Sequence, residues 1–136
     1  MVFEGIKVIA LEQAVAAPLC TRRLAQKGAE VIKIERETGD FARHYDSAVK
    51  GQSAYFVWLN GGKKSVVLNL EDERYKATLT SLVKSADILV QNLKQGALAK
   101  LGFDLDDWHR KNPRLISCSI SGFALDGPGF SRKAYD

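Results

Sequence analysis

Residues 5–35 read GIKVIALEQAVAAPLCTRRLAQKGAEVIKIE, and this stretch decides the fold. The short apolar run at residues 6–11 predicts a buried strand. Small and apolar residues then recur at helical spacing from Ala16, and Gly28 is placed to end that helix. Residues 30–35 predict the next strand. About thirty residues therefore form a β-α-β unit, the building block of a parallel sheet.

The rest of the chain continues this alternation of strands and helices. A long polar loop at residues 36–51 is followed by an aromatic-rich segment, 53–59, and a turn, 60–64. Further strands are predicted at residues 65–70, 88–90 and 115–120, and helices at 72–85, 95–101 and 104–111. Strands that alternate with helices predict an α/β fold with a parallel sheet and helices on both of its faces.

Composition describes one globular domain that spans residues 1–136. The chain has 136 residues, of which 46% are apolar and 26% charged. These values exclude collagen-like, disordered and disulfide-scaffold classes. The glycine-rich stretch 121–136 ends without a capping pattern, so we expect the domain to be truncated at its carboxyl end. A large active site must then take walls from elsewhere.

Charge and cysteine usage limit the partners. The chain has twenty Lys and Arg and sixteen Asp and Glu, and its basic residues do not form a stripe, which argues against nucleic acid as a partner. No apolar run approaches the roughly 18 residues of a spanning helix, and no secretion signal opens the chain. We therefore expect a cytoplasmic protein without a membrane partner. Cys20 and Cys118 predict reduced, buried thiols, and the separated His44 and His109 give no support for a metal site.

Ligands of an open parallel sheet bind outside the carboxyl ends of its strands. The candidate segments are therefore residues 12–17, 36–40, 69–71, 91–95 and 121–129. Arg36 follows a strand directly, where it either stacks on a purine or contacts a phosphate, or is an ordinary solvated or salt-bridged arginine. Asn92 either caps the helix that follows it or precedes helix amides that bind an anion.

The remaining motifs are weaker signals. The segment NGGKKS at residues 60–65 lacks the Walker spacing and precedes a strand. A turn with solvated lysines is the favoured interpretation, and a phosphate contact is the alternative. The acid–base candidates are Glu12, Asp40, His44, Tyr135 and Asp136, and no Ser-His-Asp or Cys-His pairing has a recognisable local spacing. The residues alone therefore predict an α/β domain with an anionic ligand.

Short segments in a fixed order along the chain form a recognisable series: GIKVI (5–9), AAP (16–18), LAQKGAEVIKIE (24–35) with GD (39–40), YF (55–56), NGGKKS (60–65), ADILVQN (86–92), GAL (96–98), LGF (101–103) and NPRLI (112–116). Together and in this order they resemble the family III coenzyme A transferases, which include formyl-, carnitine- and bile-acid CoA-transferases and the α-methylacyl-CoA racemases. The resemblance implies a Rossmann-like, CoA-binding half-domain, the N-terminal third of a chain that forms an interlocked homodimer.

The resemblance also implies which residues contact CoA or an acyl-CoA. Arg36 corresponds to a position beside the adenine, and Lys100 to one near a phosphate. The resemblance implies that the nucleotide lies along Leu68, Asn69, Leu70 and Glu71. It implies contacts with the pantetheine and pyrophosphate for Asn92, Leu93 and Lys94. Contacts along the pantetheine arm are implied for Lys133, Ala134, Tyr135 and Asp136.

Two positions depart from the formyl-CoA transferases. Val15 stands where they carry a glutamine near the reacting acyl group, which argues against a formyl or oxalate substrate. Glu71 stands where they carry a phosphate-side lysine, so a phosphate there would depend on backbone contacts.

The implied activity is the movement of CoA from an acyl-CoA to a carboxylic acid acceptor through an aspartyl intermediate, without a metal. The nucleophilic aspartate corresponds to a position beyond residue 136, and Tyr135 and Asp136 are supporting candidates. Racemases place a histidine base where this chain has Tyr135, and a tyrosine with a reference pKa of about 10 is a poor base, so a transferase is favoured. The alternatives are a racemase-like enzyme and a non-catalytic CoA-binding or dimerisation module. Alone, residues 1–136 are expected to be inactive.

Overall fold

Strands and helices alternate throughout the computed structural model, which describes residues 1–124, 126–129, 132 and 134. The strands are β1 (Lys7–Leu11), β2 (Glu30–Glu35), β3 (Lys64–Val67), β4 (Ile88–Gln91) and β5 (Ile116–Ser119). The helices are α1 (Ala16–Gln26), α2 (Ala54–Asn60), α3 (Glu73–Lys84), α4 (Ala97–Lys100) and α5 (Leu105–Lys111), with a short 3-10 helix at Phe41–His44.

The strands form one parallel sheet in the order β3-β2-β1-β4-β5. The central strand β1 pairs with β2 through Val8 and Val31, and with β4 through Val8 and Ile88. All the strands point the same way, so their carboxyl ends share one edge of the sheet. From β1 the chain adds β2 and β3 on one side of the sheet and then β4 and β5 on the other. This change of direction beside β1 creates the crevice where such sheets bind ligands.

Helices cover both faces of the sheet, as the sequence predicts. Alternate residues of β1 point to opposite faces. Val8 and Ala10 belong to a core cluster with residues of α1, whereas Ile9 and Leu11 belong to a second cluster with residues of α3 and α5. The Rossmann-like α/β arrangement is therefore confirmed.

Three segments differ from the predictions by more than a shift of one or two residues. The aromatic-rich segment is helical, because the Ser53 hydroxyl caps α2 by accepting a hydrogen bond from the Phe56 amide. A 3-10 helix interrupts the predicted loop, because the Asp40 carboxylate caps it through the Ala42 amide. Strand β3 ends at Val67, since a turn closed by the Asp72 amide on the Asn69 carbonyl follows.

Cys20 and Cys118 are free thiols, as predicted, but each is half-buried where full burial was expected. Both pack against the α1 side of the sheet. Within residues 1–124, 126–129, 132 and 134, no helix has the length and apolarity that a membrane crossing requires.

Candidate functional site

An open cleft of about 400 Å³ lies at the carboxyl edge of the sheet. It is bounded by the ends of β1 and β2, by the turn after β3 and by two leucines that follow β4. Its lining residues are Leu11, Glu12, Gln13, Ile34, Glu35, Arg36, Glu37, Thr38, Gly39, Asp40, Leu68, Asn69, Leu70, Glu71, Leu93 and Leu101. This is the edge at which an open parallel sheet is expected to bind its ligand.

The cleft brings together several residues that the sequence singled out: Arg36, Leu68, Asn69, Leu70, Glu71 and Leu93. Val15, Asn92, Lys94, Lys100 and Ala134 are described but are not among its lining residues. Lys133, Tyr135 and Asp136 lie outside the described residues. His44, an acid–base candidate, is exposed in the short 3-10 helix and does not line the cleft.

The cleft combines an apolar wall with a cation at its rim. Leu70, Leu93 and Leu101 pack against the core cluster that contains Leu68, so the leucine surface is continuous with the core. The exposed Arg36 donates a hydrogen bond from Nη2 to Gln13 Oε1 at 2.9 Å. An apolar wall beside a guanidinium group suits a planar heteroaromatic ring that carries phosphate groups.

Four buried charged side chains form what we call the buried charge cluster: Glu12 and Asp40, which are among the lining residues of the cleft, and Lys33 and Lys63, which pair with them. Lys63 Nζ lies 2.6 Å from Glu12 Oε1, and Lys33 Nζ lies 2.8 Å from Asp40 Oδ2 and 3.5 Å from Glu12 Oε1. Each side chain is at most 2% exposed. Two lysines balance two carboxylates, which is the condition under which charges are tolerated inside a protein.

The prediction of a turn with solvated lysines is wrong for Lys63 and holds for Lys64. Neighbouring residues of an extended chain point to opposite sides, so Lys63 is directed inward while Lys64 remains 70% exposed beside Glu30. Burial lowers the pKa of Lys63, and the Glu12 carboxylate opposes that effect. Lys63 Nζ also donates to the Pro18 carbonyl and to Asn60 Oδ1. Its donors are thus engaged, which rules out the phosphate alternative for this lysine.

The buried charge cluster changes the interpretation of two acid–base candidates. Glu12 also accepts a 2.6 Å hydrogen bond from Thr21 Oγ1, and Asp40 accepts hydrogen bonds from the amides of Ala14 and Ala42. These carboxylates have structural partners. Sequence reasoning missed Lys33, although a lysine inside an otherwise apolar strand is itself a signal of a buried ionic partner.

The Glu35 carboxylate, at the end of β2, is the acceptor of a second polar network. It accepts hydrogen bonds from Arg43 Nε and Nη2, from Ser65 Oγ and from the Asp40 amide. Burial raises the pKa of Glu35, but these hydrogen bonds outweigh it and hold the pKa at about 2. The network ties β2, β3 and the 3-10 helix together at the edge that carries the cleft.

The Asn92 side chain does not perform the capping role predicted for it. Helix α4 begins at Ala97 and is preceded by Gly96, so Asn92 does not cap it. Its side chain instead accepts a hydrogen bond from the Gln13 amide and donates one to the Gln13 carbonyl, each at 2.8 Å. Asn92 therefore joins the ends of β1 and β4.

A parallel sheet covered on both faces, with a ligand cleft at its carboxyl edge, is the architecture of nucleotide-binding α/β domains. A model of the CoA-transferase family III matches residues 3–136. The chain belongs to this family, which confirms the resemblance found in the sequence.

Curated relatives carry CoA-transferase names. Acetyl-CoA:oxalate CoA-transferase of Acetobacter aceti is 42% identical over 135 residues, which are 98% of this chain and 35% of that protein. Formyl-CoA:oxalate CoA-transferase of Streptomyces avermitilis is 40% identical over 134 residues, 98% of this chain and 32% of that protein. The chain spans about a third of the length of the curated relatives it matches.

Solved structures have the same fold. A hypothetical protein (Rv3272) from Mycobacterium tuberculosis superposes with a TM-score of 0.91 at 35% identity, over 98% of this chain and 37% of that one. A CaiB/BaiF family protein from Brucella suis has a TM-score of 0.89 at 36% identity, over 98% of this chain and 36% of that one. The predicted fold is thus confirmed at the level of the family.

Proposed function

We propose that this chain is the CoA-binding part of an enzyme that moves CoA from an acyl-CoA to a carboxylic acid. The observation that carries the proposal is the cleft, where six of the implied CoA contacts meet at the carboxyl edge of the sheet. Membership of the CoA-transferase family supports the same activity. Two copies of the complete protein are proposed to interlock as a homodimer.

We assign different residues in and near the cleft to different parts of CoA. The adenine would lie against Leu68 and Leu70, with the Arg36 guanidinium beside it. Lys94 and Lys100 are exposed and flank the lining residues Leu93 and Leu101. We propose that they meet the pyrophosphate, since exposed cations near a cleft attract a phosphate without being buried.

The proposed reaction is covalent. An aspartate beyond residue 136 would attack the donor thioester, forming a mixed anhydride and releasing the CoA thiolate. The thiolate would then attack the aspartyl carbonyl, giving an aspartyl-CoA thioester and the free donor acid. The acceptor carboxylate would then attack the aspartyl thioester, displacing the CoA thiolate and forming a second mixed anhydride. The thiolate would finally attack the acceptor carbonyl of that anhydride, giving the new acyl-CoA and the free aspartate. Glu12 and Asp40 are poor substitutes for this nucleophile, because both are paired in the buried charge cluster.

The substrates to test first follow from the relatives' names and from Val15. Acetyl-CoA and formyl-CoA are the donors and oxalate the acceptor in those names. Val15 lies half-buried immediately before α1 and has no side-chain amide to offer to a reacting acyl group. We therefore expect formyl-CoA to be a poorer donor than acetyl-CoA.

Intact-mass spectrometry of the complete protein tests the proposal. Acyl-CoA alone should leave CoA joined covalently to the chain, and adding the acceptor acid should remove it while a new acyl-CoA appears. Transfer without any covalent CoA would contradict the aspartyl intermediate. Exchange of an acyl α-proton with solvent deuterium, without CoA transfer, would instead favour the racemase-like alternative.

Arg36→Met is expected to weaken CoA binding about tenfold, because the variant removes the cation at the cleft rim while keeping side-chain bulk. Isothermal titration calorimetry with CoA measures the change. Arg23→Met is the matched control, since Arg23 is an exposed arginine in the last turn of α1, away from the cleft. Equal affinities for both variants would contradict the assignment of Arg36.

A further inference from the structure

Gln13 lies two residues after β1, and its side chain reaches Arg36, which directly follows the neighbouring strand β2. The 2.9 Å hydrogen bond from Arg36 Nη2 to Gln13 Oε1 joins two residues that both line the cleft. An exposed arginine loses substantial rotamer entropy when it is ordered. The Gln13 acceptor therefore favours one orientation of the Arg36 guanidinium group before a ligand binds.

The backbone of Gln13 is held by a residue that follows β4, the strand on the opposite side of β1 from β2. The Asn92 side chain bonds both the amide and the carbonyl of Gln13 at 2.8 Å. One side-chain amide thus satisfies both backbone groups of the residue that holds Arg36. Asn92 is anchored in turn, because its amide donates to the Leu11 carbonyl.

The next residue, Ala14, is held in a conformation that alanine rarely adopts. Its φ is +61°, in the left-handed region, which is costly for a residue with a Cβ atom. Its amide donates a 3.1 Å hydrogen bond to Asp40 Oδ1, and Asp40 is fixed by Lys33. Such a conformation persists where its surroundings determine it strongly. Asn92 therefore holds the backbone of Gln13, and Asp40 holds the backbone of Ala14.

We propose that Gln13 is a positioning residue, which orients the Arg36 guanidinium over the cleft, and that Asn92 and Asp40 hold the Gln13–Ala14 backbone for this purpose. This inference rests on the proposed function, in which Arg36 contacts the nucleotide part of CoA. Gln13 acts through Arg36 and needs no contact of its own with CoA.

Gln13→Met in the complete protein tests the inference, because methionine keeps the length of the side chain and removes the amide oxygen. Calorimetry should report CoA binding weakened about fivefold. In an Arg36→Met background the same replacement should cause no further loss, since the residue it positions is gone. Gln26→Met is the matched control: Gln26 is an exposed glutamine at the far end of α1, and its replacement should leave CoA affinity unchanged.

The possible results distinguish a failure of the Gln13 positioning role from a failure of the proposed CoA binding. Equal losses in both backgrounds, or no loss in either, would overturn the positioning role while CoA binding by the unaltered protein stands. An unaltered protein that takes up no CoA would overturn the proposed function and this inference with it. A melting temperature of Gln13→Met within about 2 °C of the unaltered protein is expected, so that a general loss of folding does not mimic the result.

Asn92→Asp provides a second, independent readout. An aspartate can accept from the Gln13 amide but cannot donate to the Gln13 carbonyl, so the loop loses half of its anchor. The variant should weaken binding of adenosine 3′,5′-bisphosphate, the nucleotide part of CoA, about fivefold, and combining it with Arg36→Met should add nothing. A full additional loss in the combined variant would mean that Asn92 does not act through Arg36.

Discussion

Replacing Lys63 with methionine is expected to lower the free energy of unfolding by about 3–5 kcal/mol, because it leaves a buried carboxylate without its nearest cation. Lys63 Nζ lies 2.6 Å from Glu12 Oε1, and the two side chains are 2% and 0% exposed. Methionine retains most of the apolar stem, so the change isolates the charge. Urea unfolding followed by circular dichroism at neutral pH measures the loss.

Lys64→Met is the matched control for this prediction. Lys64 is the next residue in the chain and also pairs with a glutamate, Glu30, but the two side chains are 70% and 42% exposed. Exposed pairs are worth about 0–1 kcal/mol, so Lys64→Met should change stability little. Similar losses for the two lysines would show that burial does not govern the effect.

A double variant keeps the test decisive if Lys63→Met does not fold. Lys63→Met combined with Glu12→Gln removes both charges of the pair, and this should restore part of the lost stability. If the double variant is less stable than Lys63→Met alone, the cost does not come from an unpaired Glu12.

Glu35→Gln is expected to cost about 2–3 kcal/mol at pH 7 and almost nothing near pH 2. The folded state holds the pKa of Glu35 at about 2, against an ordinary value of 4.5. A carboxylate whose pKa is lower in the folded state contributes its full stabilisation when the pH is above the pKa of the unfolded state. This contribution to the free energy of unfolding disappears as the pH falls from about 4.5 to about 2. The difference in unfolding free energy between the unaltered protein and the variant, measured by urea titrations from pH 7 to pH 2, should follow that curve.

The control for acid sensitivity is Glu37→Gln. Glu37 is an exposed glutamate two positions further along the chain. Its replacement should change stability by less than about 0.5 kcal/mol throughout the pH range. A stability difference for Glu35→Gln that does not vary with pH would mean that its hydrogen bonds to Arg43 and Ser65 do not depend on its charge.

The sheet could be predicted from sequence because its signals are local. The β-α-β pattern within residues 5–35 requires neighbours only, and the cleft position of Arg36 follows from its place directly after β2. The helical state of residues 54–60 was not specified, because aromatic residues are compatible with strands as well as helices. Its deciding contact is the cap formed by Ser53.

The buried charge cluster could not be predicted from the same signals. Glu12 and Lys63 are 51 positions apart, and Glu12 and Lys33 are 21 apart. Nothing within NGGKKS indicates which of its two lysines points inward, since that depends on the phase of β3 relative to β2. Glu12 resembled an acid–base candidate for the same reason: the lysines that pair with it are distant in the chain.

The buried charge cluster also constrains how this protein can change over evolutionary time. A single replacement of Glu12, Lys33, Asp40 or Lys63 by a neutral residue leaves an uncompensated charge in the interior, a loss comparable to much of a domain's marginal stability. A lineage that abandons one member must therefore first gain stability elsewhere, or exchange an acid and a lysine nearly together. In descendants of this sequence, we expect these four positions to vary as linked pairs.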